Sequence, residues 1–380
     1  MKYFIIAGEA SGDLHGSQLI KVLREGDDAA EFHFLGGDLM AAEAGNEPLI
    51  HYRNMAYMGF AAVVRHLGAI LGNMKRTRTA IKEWNPDVLI LIDYPSFNLK
   101  MAKMAHERGI KVVYFISPKV WVWKEWRVRD IKRYVDKMLL ILPFEVDFYK
   151  GHDYEATYVG NPTMSELTAA RAAMGDYATL AAEHGLDPGK PLLAILPGSR
   201  VHEIDKNLPI MLDAALRHPE CQLAIAAAPA LDDDVYRAVT EPLHASHVPL
   251  LRGLTWELLH HARAAIVTSG TATLEAAVLD APQVACFRMN GKPWLYKIYR
   301  RLLKCKYVTL PNLIDDSEVI PELLVHHCTP DNIERHLSAL LTDSAARRAQ
   351  LAGYERVRAA LGNHDCAHNA ATVILNLLKS

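Results

Sequence analysis

Cysteine is scarce. There are five in 380 residues (Cys221, Cys286, Cys305, Cys328 and Cys366), an odd number, far apart and with no C-x-x-C pair. That excludes a disulfide framework or a zinc ribbon and points to a reducing compartment. Long apolar runs are missing too: none reaches the roughly 18 residues that a spanning helix needs. The N-terminal Met1-Lys-Tyr-Phe-Ile-Ile-Ala-Gly-Glu9 reads as a first buried strand and not as a signal peptide. Excess charge of one sign is absent. With 42 Lys and Arg against 44 Asp and Glu, the net charge of −2 gives no global basic field for nucleic acid. Neither a G-x-G-x-x-G dinucleotide fingerprint nor the G-K-[ST] of an ATP-hydrolysing P-loop occurs. His364-x-Cys366-x-His368 lacks an acidic or Cys partner at metal-ligand spacing, so no metal site is expected. A cytoplasmic protein remains.

What is present is alternation. Half the residues are hydrophobic and 23% are charged, the balance of a folded globular chain. At roughly 150 residues per domain, the length implies two. Short, unbroken apolar runs at Tyr3–Ala7, Val88–Ile92, Lys111–Phe115 and Lys137–Leu142 predict strands buried on both faces, with helices between them. After an Ala-rich helical stretch over 164–190, the alternation restarts at Leu192–Leu196, Gln222–Ala227, Ala264–Thr268 and Gln283–Phe287. The fold class is therefore α/β, with two doubly wound units of similar size. The expected boundaries are 1–165 for the first unit, 190–345 for the second, and 346–380 for C-terminal helices.

Ligands of open parallel sheets bind beyond the carboxyl ends of the strands, so the residues just past each strand matter most. After the first strand comes Gly8-Glu-Ala-Ser-Gly-Asp-Leu-His-Gly16, whose small residues allow close backbone approach. Its Glu9 and Asp13 would repel a phosphate; the plainer reading is a tight turn with Ser11 or Asp13 as helix cap. Asp93, ending the strand Val88–Ile92, suits either a general base or a cap of the next helix. In the second unit, Leu196-Pro-Gly-Ser-Arg200 has the strand, turn and helix order of a phosphate cradle: Gly198 and Ser199 in the turn, and Arg200 to fork onto a diphosphate or to pair with Glu203. Thr268-Ser-Gly-Thr-Ala-Thr-Leu-Glu275 repeats that order with Ser269, Gly270, Thr271 and Thr273. Glu275 one turn into the helix can accept both hydroxyls of a ribose. The second unit is thus expected to hold a nucleotide diphosphate and the first the other substrate.

A different signal lies at 58–82. An apolar helical stretch is flanked by Arg65, His66, Lys75, Arg76, Arg78 and Lys82, and suits either a membrane surface or packing on the sheet. Trp121, Trp123 and Trp126, followed by Arg127, Arg129, Lys132 and Arg133, form a second basic, aromatic segment.

Taken in order, GEASGDLHG (8–16), IDYPSFN (92–98), YFISPKVWVWKEWRVRDIKRYVD (114–136), LPFE (142–145), LPGSRVHEI (196–204), TSGTATLE (268–275), LPNLI (310–314) and IPELL (320–324) resemble the lipid A disaccharide synthases, a family of bacterial glycosyltransferases. The resemblance spans nearly the whole chain. One departure is Asn161, where the family commonly has His. The resemblance implies a GT-B fold, two Rossmann-like domains facing across a cleft with the C-terminal helices returning to the first. It also implies transfer from UDP-2,3-diacylglucosamine to 2,3-diacylglucosamine 1-phosphate (lipid X) at the cytoplasmic face of the inner membrane, with no cofactor or catalytic metal. On that basis Asp93 is expected to be the base, with Glu9 as a rival for the role and Asp13 beside them. Asn312 and Glu322 are expected to complete the nucleotide pocket, and Val63, Val64, Leu67, Ile70 and Leu71 to face acyl chains. The segment 345–378 allows pairing within the chain or exchange in a homodimer. Two rival readings share the shape: a non-hydrolysing UDP-N-acetylglucosamine 2-epimerase and a non-catalytic UDP-sugar scaffold.

Overall fold

Aliphatic runs without polar alternation can bury both faces only inside a sheet covered by helices on each side. The computed structural model, which describes residues 1–55, 67–122, 124–288 and 305–379, contains two such sheets. The first comprises β1 (Lys2–Ala7), β2 (Glu31–Gly36), β3 (Ile50–His51), β4 (Val88–Ile92), β5 (Lys111–Phe115), β6 (Lys137–Leu140) and β7 (Thr157–Tyr158), in the order β3-β2-β1-β4-β5-β6-β7. The second comprises β8 (Leu192–Leu196), β9 (Gln222–Ala227), β10 (Leu250–Arg252), β11 (Ala262–Thr268), β12 (Gln283–Phe287) and β13 (Glu322–Leu324), in the order β10-β9-β8-β11-β12-β13. Every pairing is parallel, and β1 and β4 run in register to their ends, Ala7 opposite Ile92. Val88 to Ile92 are all fully buried, and each such side chain contributes about 1.5–3 kcal/mol.

The chain divides into one unit of residues 1–162 with 363–380, and a second of 163–362. These limits correct the expected ones. The helices Pro162–Ala173 and Tyr177–His184 fall almost wholly in the second unit, and the C-terminal segment splits at Gly362. Helix Ala345–Leu361 stays with the second unit because Gln350 exchanges two hydrogen bonds with the Gln283 backbone, at 2.6 and 3.0 Å, and the Tyr354 hydroxyl donates to Ala281 O. Gly362, at φ 66°, ends that helix in the left-handed region. Only Cys366–Lys379 returns to the first unit, where Ala370, Ala371 and Ile374 are buried beside β1 and β5 and Asn369 donates to Val159 O.

Candidate active site

In each sheet the strand order reverses once: between β1 and β4 in the first unit, and between β8 and β11 in the second. A parallel sheet opens its ligand crevice at such a reversal. The four motif turns singled out from the sequence come directly after these four strands.

The first-unit turns lock together. A Cβ on Gly8 would lie 2.5 Å from the Tyr94 ring, so the ring occupies the place of a side chain. Asp93 and Tyr94 both adopt left-handed backbone, at φ 42° and 45°. Each such residue costs roughly 1–3 kcal/mol and needs surrounding support. Support comes from buried Asn98, whose Nδ2 donates to Asp93 O at 2.7 Å and Ile92 O at 3.2 Å, and from the Tyr114 hydroxyl, at 2.6 Å from Asp93 O. The bend leaves the Asp93 side chain open to solvent. Protein packed around its other sides strips enough water to raise its pKa, and the charge of Glu9 adds to the rise while Lys119 opposes it. A raised pKa on a solvent-reachable carboxylate suits a proton acceptor.

In the second unit, Gly198 adopts φ 117° after β8, and Arg200 caps the helix Val201–Ala215. The Ser199 amide donates to Glu203 Oε2 at 2.9 Å, and Arg200 Nη1 pairs with Glu203 Oε1 at 3.1 Å. Buried Asn207 donates to Thr268 Oγ1 at 3.0 Å, tying this helix to the end of β11. Beyond β11, Gly270 and Thr271 are exposed and Ser269 is half-buried. Glu275 is half-buried in the helix Ala272–Val278. Burial raises its pKa, the Trp256 indole donates to it, and nearby Glu166 adds to the rise. The turns after β8 and β11 thus carry a guanidinium, exposed or half-buried hydroxyls and an acidic acceptor, the groups a nucleoside diphosphate needs.

A family model described as lipid-A-disaccharide synthetase matches residues 3–374. The chain belongs to that family. The lipid-A-disaccharide synthase of Acidobacterium capsulatum is 41% identical over 372 residues, covering 94% of this chain and 91% of its own. That of Myxococcus xanthus is 38% identical over 384 residues, covering 99% and 97%. Among solved structures, the UDP-GlcNAc 2-epimerase of Neisseria meningitidis bound to UDP-GlcNAc superposes with a TM-score of 0.64 at 13% identity, covering all of both chains. The calicheamicin glycosyltransferase CalG4 gives 0.60 at 15% identity, covering 100% of this chain and 98% of its own. At such identity these structures speak for the fold alone: two Rossmann-like α/β domains, as expected. The enzyme is a glycosyltransferase of lipid A disaccharide synthesis, and the epimerase and scaffold readings fall away.

The expected site residues differ in how far folding has already engaged them. The helix after β1 begins at Ala10 with Glu9 as N-cap, in place of the Ser11 or Asp13 expected there. Asp13 therefore sits within the first turn, 3% exposed, and its carboxylate accepts the amides of Gly37, Leu39 and Met40 at 2.6, 3.2 and 3.1 Å. These are donors at the start of helix Asp38–Ala44, so Asp13 anchors that helix. Thr273 is fully buried, with its hydroxyl on Gly270 O at 2.7 Å. Asn312 and Glu322 close on each other at 3.0 Å, while Glu322 also accepts the Val308 and Thr309 amides and Ile320 donates to Asn312. All three are thus engaged by hydrogen bonds within their own unit. Of the expected acyl-facing set, Val63 and Val64 lie outside the described residues, and Leu67 is the first described residue of helix Leu67–Trp84. Ile70 packs on the first-unit core, in helical register with buried Met74, Thr77 and Ile81, whereas Leu71 is 54% exposed. Asn161 is buried and donates to Ile141 O.

Glu145, in the LPFE motif, was given no role from the sequence. It is 1% exposed. Its Oε1 accepts the Trp121 indole at 3.1 Å, and its Oε2 has no hydrogen-bond partner among the described residues. Burial pushes its pKa up to about 8; Trp121 and Lys119 act against the rise and Asp93 adds to it. Asn207 and Trp256 were equally invisible in the sequence, since their partners lie 61 and 19 positions away.

Asp13→Ala is expected to cost about 3–5 kcal/mol in urea unfolding, because three amides lose an ionised acceptor, and Asp13→Asn to recover part of that loss. For Glu145 the folded state holds a proton that the unfolded chain releases, so stability declines as pH rises from the ordinary carboxyl range to about 8 and then levels off. The melting temperature of Glu145→Gln relative to the native enzyme should therefore climb across that window. A constant difference would remove this account.

Proposed function

We propose that the enzyme joins UDP-2,3-diacylglucosamine to lipid X, giving the β(1→6) disaccharide 1-phosphate and UDP, with the acceptor on the first unit and the nucleotide on the second. The observation that carries this reading is the placing of a carboxylate of raised pKa after β4 and of a guanidinium with a small-residue turn after β8, each at its sheet's reversal. The α-linked donor gives a β-linked product, so the acceptor hydroxyl attacks the sugar C1 from the face opposite the diphosphate. As the O6–C1 bond forms, the hydroxyl proton passes to Asp93. The C1–O bond to the phosphate breaks, and its electron pair leaves with UDP. An alcohol is a poor nucleophile, and such proton removal contributes about 10²–10⁴-fold. Arg200, the Ser199 amide and the hydroxyls of Ser269 and Thr271 meet the charge growing on UDP, and Glu275 holds the ribose. Glu9 tunes Asp93 through its charge.

Both substrates carry acyl chains, and peripheral attachment to the cytoplasmic face of the inner membrane lets those chains stay in lipid. Exposed Leu71 beside exposed Lys75, Arg76 and Arg78, and Trp126 at 63% exposure next to Arg127, support that placement. Among the described residues no helix is long and apolar enough to cross a membrane.

Incubation with both lipids and mass detection of disaccharide and UDP tests the reaction; UDP release without disaccharide would refute it. Asp93→Asn should lower kcat by about 10²–10⁴ while the protein stays folded. The acid limb of the native pH–rate profile should lie above that of an ordinary aspartate, because the active form is the deprotonated one and the native pKa is raised. Near-native turnover of Asp93→Asn would exclude it as the base.

A further inference from the structure

The groups assigned above to the diphosphate already hold an anion that belongs to the chain. Glu203 lies at the third position of helix Val201–Ala215, and its side chain folds back over the helix start. Oε2 accepts the Ser199 amide at 2.9 Å, and Oε1 lies 3.1 Å from Arg200 Nη1. The same carboxylate packs against the turn so closely that a Cβ on Gly198 would lie 2.5 Å from Oε2. Backbone amide, guanidinium and bare glycine therefore all point at one small region, and a carboxylate fills it. A phosphate oxygen needs the same approach, about 2.7–2.9 Å, to the same donors. Two anions cannot both take it, because like charges at that separation repel strongly and one amide hydrogen serves one close acceptor.

We infer that Glu203 is an internal competitor for the diphosphate subsite: its carboxylate and the nucleotide's phosphate alternate on the Ser199 amide and Arg200. Entry of the nucleotide swings Glu203 aside by rotation about its own side-chain bonds, and its return after transfer helps expel UDP. Until then it holds Arg200 in place, which limits the ordering that binding must impose. The inference rests on the proposed diphosphate role of this turn. The competing role is a plain helix cap, in which a Glu at the third position satisfies an amide near the helix start and does nothing more.

Calorimetric titration of the full-length enzyme with UDP separates the two. Glu203→Gln keeps an oxygen for the Ser199 amide but removes the charge, and Glu203→Ala removes both; melting curves establish that each variant is folded. If Glu203 competes, both variants bind UDP about three- to tenfold tighter than the native enzyme, and UDP inhibits their turnover at correspondingly lower concentration. Unchanged or weaker binding by the folded variants overturns the inference and leaves the cap. Arg200→Ala serves as the control on the underlying reading, and is expected to weaken UDP binding by tenfold or more. If Arg200→Ala binds UDP as the native enzyme does, the turn does not hold the diphosphate and both statements fall. If only the Glu203 variants fail to tighten, the diphosphate reading stands without the competitor.

Discussion

Neighbouring parallel strands must be joined by a crossover, so all of them end on the same edge of the sheet. The placement of the four motif turns is built on that constraint. Where the order of strands reverses, two successive crossovers leave in opposite directions and the turns between them stand apart without a covering helix. β1 with β4, and β8 with β11, are those pairs. Asp93, Ser199, Arg200, Ser269 and Thr271, the residues proposed to reach substrate, lie one to four positions past a rigid, buried strand, which holds them far better than a free loop would.

Four of the chain's carboxylates show how environment sets a role that residue type leaves open. Asp13 is buried among backbone amides and stays an anchor. Asp93 rides on a bend that buried Asn98 and Tyr114 hold in place, and there it faces water with its pKa raised. Glu145 lies in the interior, with one oxygen unpartnered among the described residues, and holds its proton near neutrality. Glu203, at the surface, bonds to the donors of an anion cradle. Hydrogen-bond supply and access to water separate the four.

The strands most legible in the sequence were those with uninterrupted aliphatic runs. β4, β5, β8, β9 and β12 match their expected limits residue for residue, since an apolar run buried on both faces has no polar alternation inside it to break it up. β2 was missed because Glu31 and His33 alternate with Phe32 and Phe34, and β3 and β7 because two residues carry no period. The C-terminal boundary was misplaced for a related reason. Helices Ala345–Leu361 and Cys366–Lys379 are both amphipathic, and neither pattern names the surface that its apolar face will cover.

The sequence by itself determined the α/β alternation, the four small-residue turns and the order of motifs that marks the family, because these depend on composition and spacing along a few adjacent residues. Only the tertiary structure decided which polar groups at those turns remain available. Thr273, Asn312 and Glu322 carry the right chemistry but are engaged by backbone that folding brings alongside, whereas Asp93 and Arg200 stay at the surface. A hydrogen bond between residues distant in the chain leaves no local trace in either of them, and so the division between binding group and scaffold had to come from the fold.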